Sequence, residues 1–127
     1  MAKHSVEKIG GTSMSNYAAV RDNIILGPAA GEDIYNRIFV VSAYGGVTNK
    51  LLEHKKTGQP GIYELFARGV SDQGWRDALA ELRRDMLAIN AELFSHAPAL
   101  HDANAFVSER LDDAERCLSD LGHLCQH

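Results

Sequence analysis

At 127 residues, 45% hydrophobic and 24% charged, the chain has the make-up of one modest globular domain or part of a larger one. A formal charge of −4 leaves no basic footprint for nucleic acid or an anionic membrane surface, and no apolar run approaches the ~20 residues of a membrane span. The N-terminus enters a strand-like segment without an apolar leader, and Cys117 and Cys125 are too few for a disulfide framework. Reduced thiols in a cytoplasmic protein are the expectation.

Ser5 to Ile9 reads as the first strand, followed by a turn at Gly10-Gly11 and a helical pattern from Asn16 to Leu26. Ser13 or Ser15 is the expected N-cap, and Tyr17, Val20, Ile24 and Ile25 fall on one helical face. Gly27-Pro28 stops the pattern, and residues 29–36 form a polar connection. Arg37 to Ser42 is a continuous β-branched and aromatic run, the pattern of a strand buried on both faces. Strand, helix, strand predicts the opening of a right-handed parallel βαβ unit.

A second Gly-Gly turn, Ser42-Ala43-Tyr44-Gly45-Gly46-Val47-Thr48, follows that strand. Thr48 or Asn49 then caps a short helix to about His54, and residues 55–61 read as an exposed, mobile connector rather than a lid. A further helical turn or two spans Ile62 to Ala67, with a break from Arg68 to Gly74. Two long stripes come next: Trp75, Leu79, Leu82, Met86, Ile89, Leu93, and then Val107, Leu111, Ala114, Leu118, Leu121, Cys125. Each repeats at spacings of 3 and 4, with Ser95 to Asp102, containing Pro98, between them. They predict an antiparallel helical hairpin, with Trp75 and the methionines as core or interface residues rather than a cofactor box, and Arg83-Arg84-Asp85 and Asp112-Asp113 on solvated faces. Cys117, His123, Cys125 and His127 match no usual zinc spacing and read as a helix end carrying polar residues.

Lys8 is the odd residue of the first strand. It shares a face with Val6 in a segment expected to be covered on both sides, where a lysine needs a negative partner. A single Gly-Gly can serve only to reverse the chain. Two of them, each after a predicted strand and each carrying hydroxyls, point to a phosphate or small-anion site at the carboxyl ends of parallel strands.

Lys8-Ile9-Gly10-Gly11-Thr12-Ser13 resembles the Lys-Phe-Gly-Gly-Thr-Ser signature of aspartate kinases, within the amino-acid kinase family. Val40-Val41-Ser42-Ala43-Tyr44-Gly45-Gly46-Val47-Thr48-Asn49 resembles the family's second signature, Val-Val-Ser-Ala-Met-Gly-Gly-Val-Thr-Asn. Ile9 stands where the family has Phe, and Tyr44 where it has Met. With Glu53-His54-Lys55-Lys56-Thr57-Gly58, these departures resemble the aspartate kinases encoded beside ectoine-synthesis genes.

The resemblance implies the N-terminal portion of a three-layer αβα fold with parallel strands, followed by the helical hairpin. It implies ATP, carried with Mg2+, and L-aspartate as ligands, and a homo-oligomer is the expected assembly. Lys8 takes the role of catalytic lysine, with Gly10, Gly11, Thr12 and Ser13 at the phosphates. Ser42, Gly45, Gly46 and Thr48 fall on the aspartate side, where Ser42 and Thr48 can also act as caps. The family's later Ser-x-Gly-Glu motif has no match before His127, nor do the nucleotide-base half and the regulatory ACT domains. Residues 1–127 are therefore expected to be an incomplete kinase domain, inactive alone. Two other readings are a related kinase with another carboxylate acceptor, and a non-catalytic helical oligomerisation module.

Overall fold

The computed structural model describes residues 3–27, 31–69 and 71–125, which fall into two compact units, Met1–Thr48 and Asn49–His127. In the first, β1 (Ser5–Ile9) pairs with β2 (Arg37–Val41) in parallel, Ser5 opposite Arg37 and Ile9 opposite Val41. Both strands thus end at the same level. The ladder runs one bond further, the Ser42 amide donating to the Ile9 carbonyl at 3.1 Å.

Between the strands a separate short turn, α1 (Gly11–Met14), comes first. The helix expected from Asn16 to Leu26 then runs from Tyr17 to Ile25, as α2 (Tyr17–Val20) continuing without a break into a π-helical turn, Arg21–Ile25. Asn16, not Ser13 or Ser15, is the cap of α2, its side chain accepting from the Ala19 amide at 3.3 Å. Asn16 stands at the expected start of the helix and caps it there. Pro28 lies outside the described residues, and a 3-10 turn, Gly31–Ile34, stands within the polar connection.

Ile9, Met14 and Val20 form the core of this unit, with Tyr17, Ile25, Phe39 and Tyr44 packed against them. The core covers one face of the sheet only. On the other face Val6 is 68%, Ile38 53% and Val40 50% exposed, so β2 is not buried on both sides and Lys8 stands in the open. The apolar content of a two-sided strand is present, but among the described residues its second cover is not.

The second unit is helical. After α3 (Val47–Leu51), which starts ahead of Thr48 and Asn49, needs neither as its cap and stops short of His54, residues 52–59 are exposed apart from half-buried His54, yet tied together. Glu53 and Pro60 make an antiparallel bridge, and His54 Nδ1 accepts from the amides of Lys56 and Thr57 at 3.3 and 3.2 Å. The His54 amide donates to the Gln59 carbonyl at 2.8 Å. The mobile connector expected from composition is a self-bonded turn.

Helix α4 (Ile62–Arg68) ends at Gly69, and α5 (Asp72–Leu93) begins after Ser71, whose hydroxyl accepts from the Gly74 amide. The break is thus shorter than expected. So is the next one, because α6 (Ala97–Cys125) starts with Pro98 inside its first turn, where a missing N–H costs no helical bond.

Helices α5 and α6 are the antiparallel hairpin the stripes predict. Arg76 reaches Glu115 and Ser119, Arg83 reaches Asp112, and Asn90 donates to Asn104 at 3.1 Å, partners ascending one helix as they descend the other. Trp75, Leu79, Leu82, Val107 and Leu111 are buried, but Leu121 and Cys125 at the end of the second stripe are exposed. Arg83 and Asp112 are correspondingly an inter-helix pair, 2.5 Å apart, rather than members of separate solvated faces.

Candidate active site

The site is built where β1 and β2 end, wholly within residues 1–48. Because the strands are parallel and in register, the chain leaves both at the same edge, and each exit is a Gly-Gly turn. Gly10 precedes α1 in extended conformation, with open space where its side chain would be. The first helical bond runs from the Met14 amide to the Gly10 carbonyl at 3.0 Å, so the amides of Gly11, Thr12 and Ser13 lie outside the helical ladder. Thr12 and Ser13 are exposed.

The second turn lies against the first. A Cβ built on Gly11 would be 3.5 Å from Ser42 Oγ and 4.0 Å from the Ala43 carbonyl oxygen. One built on Gly45 would be 3.5 Å from the Gly11 carbonyl oxygen. Gly46 has φ +84°, in the left-handed region where a side chain is strained, and nothing within 4 Å of the Cβ position. Open space beside Gly10 and Gly46 leaves the backbone of both turns free to be approached. Tyr44 turns inward among Tyr17, Ile9 and Met14, which is why an aromatic residue serves there, and burial pushes its hydroxyl above the usual phenol range.

Of the residues singled out from sequence, Gly10, Gly11, Thr12, Ser13, Ser42, Gly45 and Gly46 fall on these two adjoining turns. Lys8 precedes the first turn on the open sheet face, opposite Val40, and Thr48 lies exposed in the first turn of α3. No hydrogen bond among the described residues ties either of them to the turns.

Two residues that sequence reading passed over hold the arrangement. The Arg37 side chain is only 8% exposed and grips the Glu7 carboxylate with two nitrogens, at 3.0 and 2.5 Å. It also donates to the Ile24 and Ile25 carbonyls at 2.6 and 2.7 Å, and its guanidinium stacks over Phe39 at 4.7 Å. One side chain thereby joins both strands to the end of the π turn. The Arg37 hydrogen bonds hold the Glu7 carboxyl below the usual carboxylate range. Ser15 is the other. Its hydroxyl donates to the Gly11 carbonyl at 3.2 Å and packs against Gly45. The opposite charges of Glu7 on β1 and Arg37 on β2 offer a clue to that pair, whereas Ser15 is marked in the sequence only as a candidate cap.

Among the described residues no three His, Cys, Asp or Glu side chains converge on a point that could hold a metal ion. Cys117 and Cys125 are free and exposed, and His127 lies outside the described residues.

No family model matches this chain, and no solved structure does. It is similar to a curated protein, the aspartate kinase Ask_Ect of Stutzerimonas stutzeri (strain A1501), with 56% identity over 124 residues. That match takes in 98% of this chain and 26% of the relative, so the chain spans about a quarter of that protein's length.

Proposed function

We propose that the chain is the N-terminal portion of an aspartate kinase of the ectoine-cluster type, and forms part of an amino-acid kinase domain. The reaction is transfer of a phosphoryl group from ATP to the side-chain carboxylate of L-aspartate, giving 4-phospho-L-aspartate and ADP. One observation carries the reading: two parallel strands in register deliver two Gly-Gly turns side by side, Gly11 next to Ser42. Similarity to the aspartate kinase over nearly the whole chain, at 56% identity, supports the choice of acceptor.

Phosphoryl transfer to a carboxylate needs alignment of two anions and neutralisation of the charge between them, with little covalent help from protein. In this reading the amides at Gly11, Thr12 and Ser13, with the Thr12 and Ser13 hydroxyls, would hold phosphate oxygens, and Gly10 leaves them room. Lys8 is a compact cation on a flexible stem, able to reach over the end of β1 and offset negative charge on the transferred group. Ser42 and Thr48 would orient aspartate, with the Gly46 backbone free to approach it. ATP supplies the phosphoryl group, and Mg2+ arriving with it supplies further charge neutralisation.

The bare face of the sheet supports the same reading from another direction. Val6, Ile38 and Val40 are apolar side chains of the kind a parallel sheet covers with helices, and the relative has about three further quarters of chain from which to supply them. The nucleotide-base half, regulatory ACT domains, a homo-oligomeric assembly and a cytoplasmic location belong to this proposal. No described helix is long and apolar enough to cross a membrane.

The test is an acyl-phosphate trap. The chain extended by its natural continuation is given Mg–ATP and L-aspartate, and β-aspartyl phosphate is captured with hydroxylamine as a coloured hydroxamate. The expected result is hydroxamate from the parent and a loss of about a thousandfold or more in Lys8→Ala, the scale seen when charge stabilisation at a transferring group is removed. Hydroxamate with a different carboxylate only would move the substrate. Silence with every acceptor would overturn the kinase reading.

A further inference from the structure

We infer that Ser15 is a positioning residue that sets the distance between the two glycine turns, and that position 45 is glycine because Ser15 fills the space a side chain would need. This rests on the kinase reading above, in which one turn meets the phosphates and the other the acceptor.

The geometry is specific. Ser15 closes α1, and its hydroxyl donates to the carbonyl of Gly11, one turn back. The same oxygen would lie 1.8 Å from a Cβ on Gly45, and the Ser15 Cβ would lie 3.1 Å from it. Ser15 therefore touches both turns, one through a hydrogen bond and the other through van der Waals contact. Gly46 differs from its neighbour. Its Cβ position is empty and its φ of +84° is what demands glycine. The second Gly-Gly thus has two causes, backbone conformation at Gly46 and the Ser15 side chain at Gly45.

A side chain at position 45 makes the Ser15 hydroxyl rotate away, which gives up its bond to Gly11. The Ser15 Cβ, 3.1 Å from the added carbon, must then give by a few tenths of an ångström, so the two turns lose their tie and shift slightly apart. In-line transfer is sensitive to such a displacement, because a shift of about 1 Å between reacting groups can cost about a hundredfold in rate and a smaller one correspondingly less. Ser15 itself touches neither proposed ligand, so its loss loosens the spacing without removing a binding contact.

The test is a mutant cycle on the extended chain, read as kcat and as KM for ATP and for aspartate, with a melting midpoint for each variant. Ser15→Ala is expected to lower kcat about tenfold while both KM values stay within about twofold and the melting midpoint is kept. Gly45→Ala is expected to lower kcat about thirtyfold, more than Ser15→Ala because the Cβ contact adds to the lost bond, and Gly45→Ala combined with Ser15→Gly to return kcat to the level of Ser15→Gly alone. Should Gly45→Ala fail to fold, a folded double variant with that same kcat supports the inference equally. A Gly45→Ala loss that Ser15→Gly leaves unchanged overturns it, since position 45 then meets substrate rather than Ser15. A Ser15→Ala variant that shifts the melting midpoint but not kcat also overturns it, leaving a purely structural contact. A parent chain silent in the hydroxamate assay overturns the kinase reading and this inference together, and needs no variant to recognise.

Discussion

Residues 49–127 bury their apolar stripes against each other, whereas residues 1–48 bury one side of a sheet and leave the other bare. In the helical unit Trp75, Leu79 and Leu82 of α5 meet Val107 and Leu111 of α6, and Phe66 of α4 packs edge-on to Trp75 with ring centroids 5.9 Å apart. The indole N–H donates to the Asp72 carboxylate at 2.9 Å, so even the largest core residue has its polar atom satisfied. In the sheet unit, Val6, Ile38 and Val40 have no such partners among the described residues. The difference follows from what each element needs. An amphipathic helix has one apolar stripe and can cover it with the next helix in sequence. A parallel strand has two apolar faces and needs cover on both, some of it from distant parts of a chain. The part that carries the proposed chemistry is therefore the part less able to hold itself together.

Substitutions in the two units should separate these behaviours. Trp75→Ala is expected to have the largest effect, removing about 3–5 kcal/mol from the helical unit through lost burial and the cavity left behind. Thermal unfolding followed by far-UV circular dichroism reads it directly. A loss under 1 kcal/mol would mean that the hairpin does not depend on this core.

Arg37→Ala comes next, at about 2–4 kcal/mol for the sheet unit, because it leaves Glu7 and two carbonyls without their shared donor. Hydrogen exchange at β1 and β2 amides should rise in this variant, while α5 and α6 amides hold their protection. The same ion pair gives the unit a pH dependence of known sign. Glu7 titrates lower in the folded chain than its ordinary 4.5, so its contribution is full at neutral pH. It is lost as pH falls from about 4.5 through the folded value. Acid titration of the β-strand amides in the parent and in Glu7→Gln checks it, since the variant should lose the acid-sensitive step.

The smallest effect is expected at Arg83→Ala. Its pair with Asp112 joins α5 to α6 near the surface, and such pairs contribute about 0.2–1 kcal/mol. An effect of 2 kcal/mol or more would show that the hairpin leans on its charged rim and not only on its apolar stripes. That would narrow the contrast between the two units.

Much of this molecule is legible in its amino-acid sequence. Period and composition located both strands, the parallel pairing and the helical hairpin, because spacing of apolar residues reports the face an element must bury. The two Gly-Gly signatures marked the turns that adjoin at the strand ends, since glycine after a strand is a local requirement written in local residues. Local signals misjudged what depends on competition or on distance. Asn16 took the cap that Ser13 or Ser15 was expected to supply, and the helix it opens widens into a π turn that no periodicity marks. His54 drew the connector after α3 into a bonded turn, by hydrogen bonds that composition does not predict.

What sequence by itself determined is therefore the kind of elements, their order, and the residues that cluster at the strand ends. Tertiary structure decided which of them touch. Only the in-register parallel pairing brings Gly11 beside Ser42 across thirty positions of sequence, and only the resulting closeness gives Ser15 and Gly45 a shared constraint. The physical reason is that a side chain's neighbours in space are set by strand register and packing, which belong to no single segment of the chain.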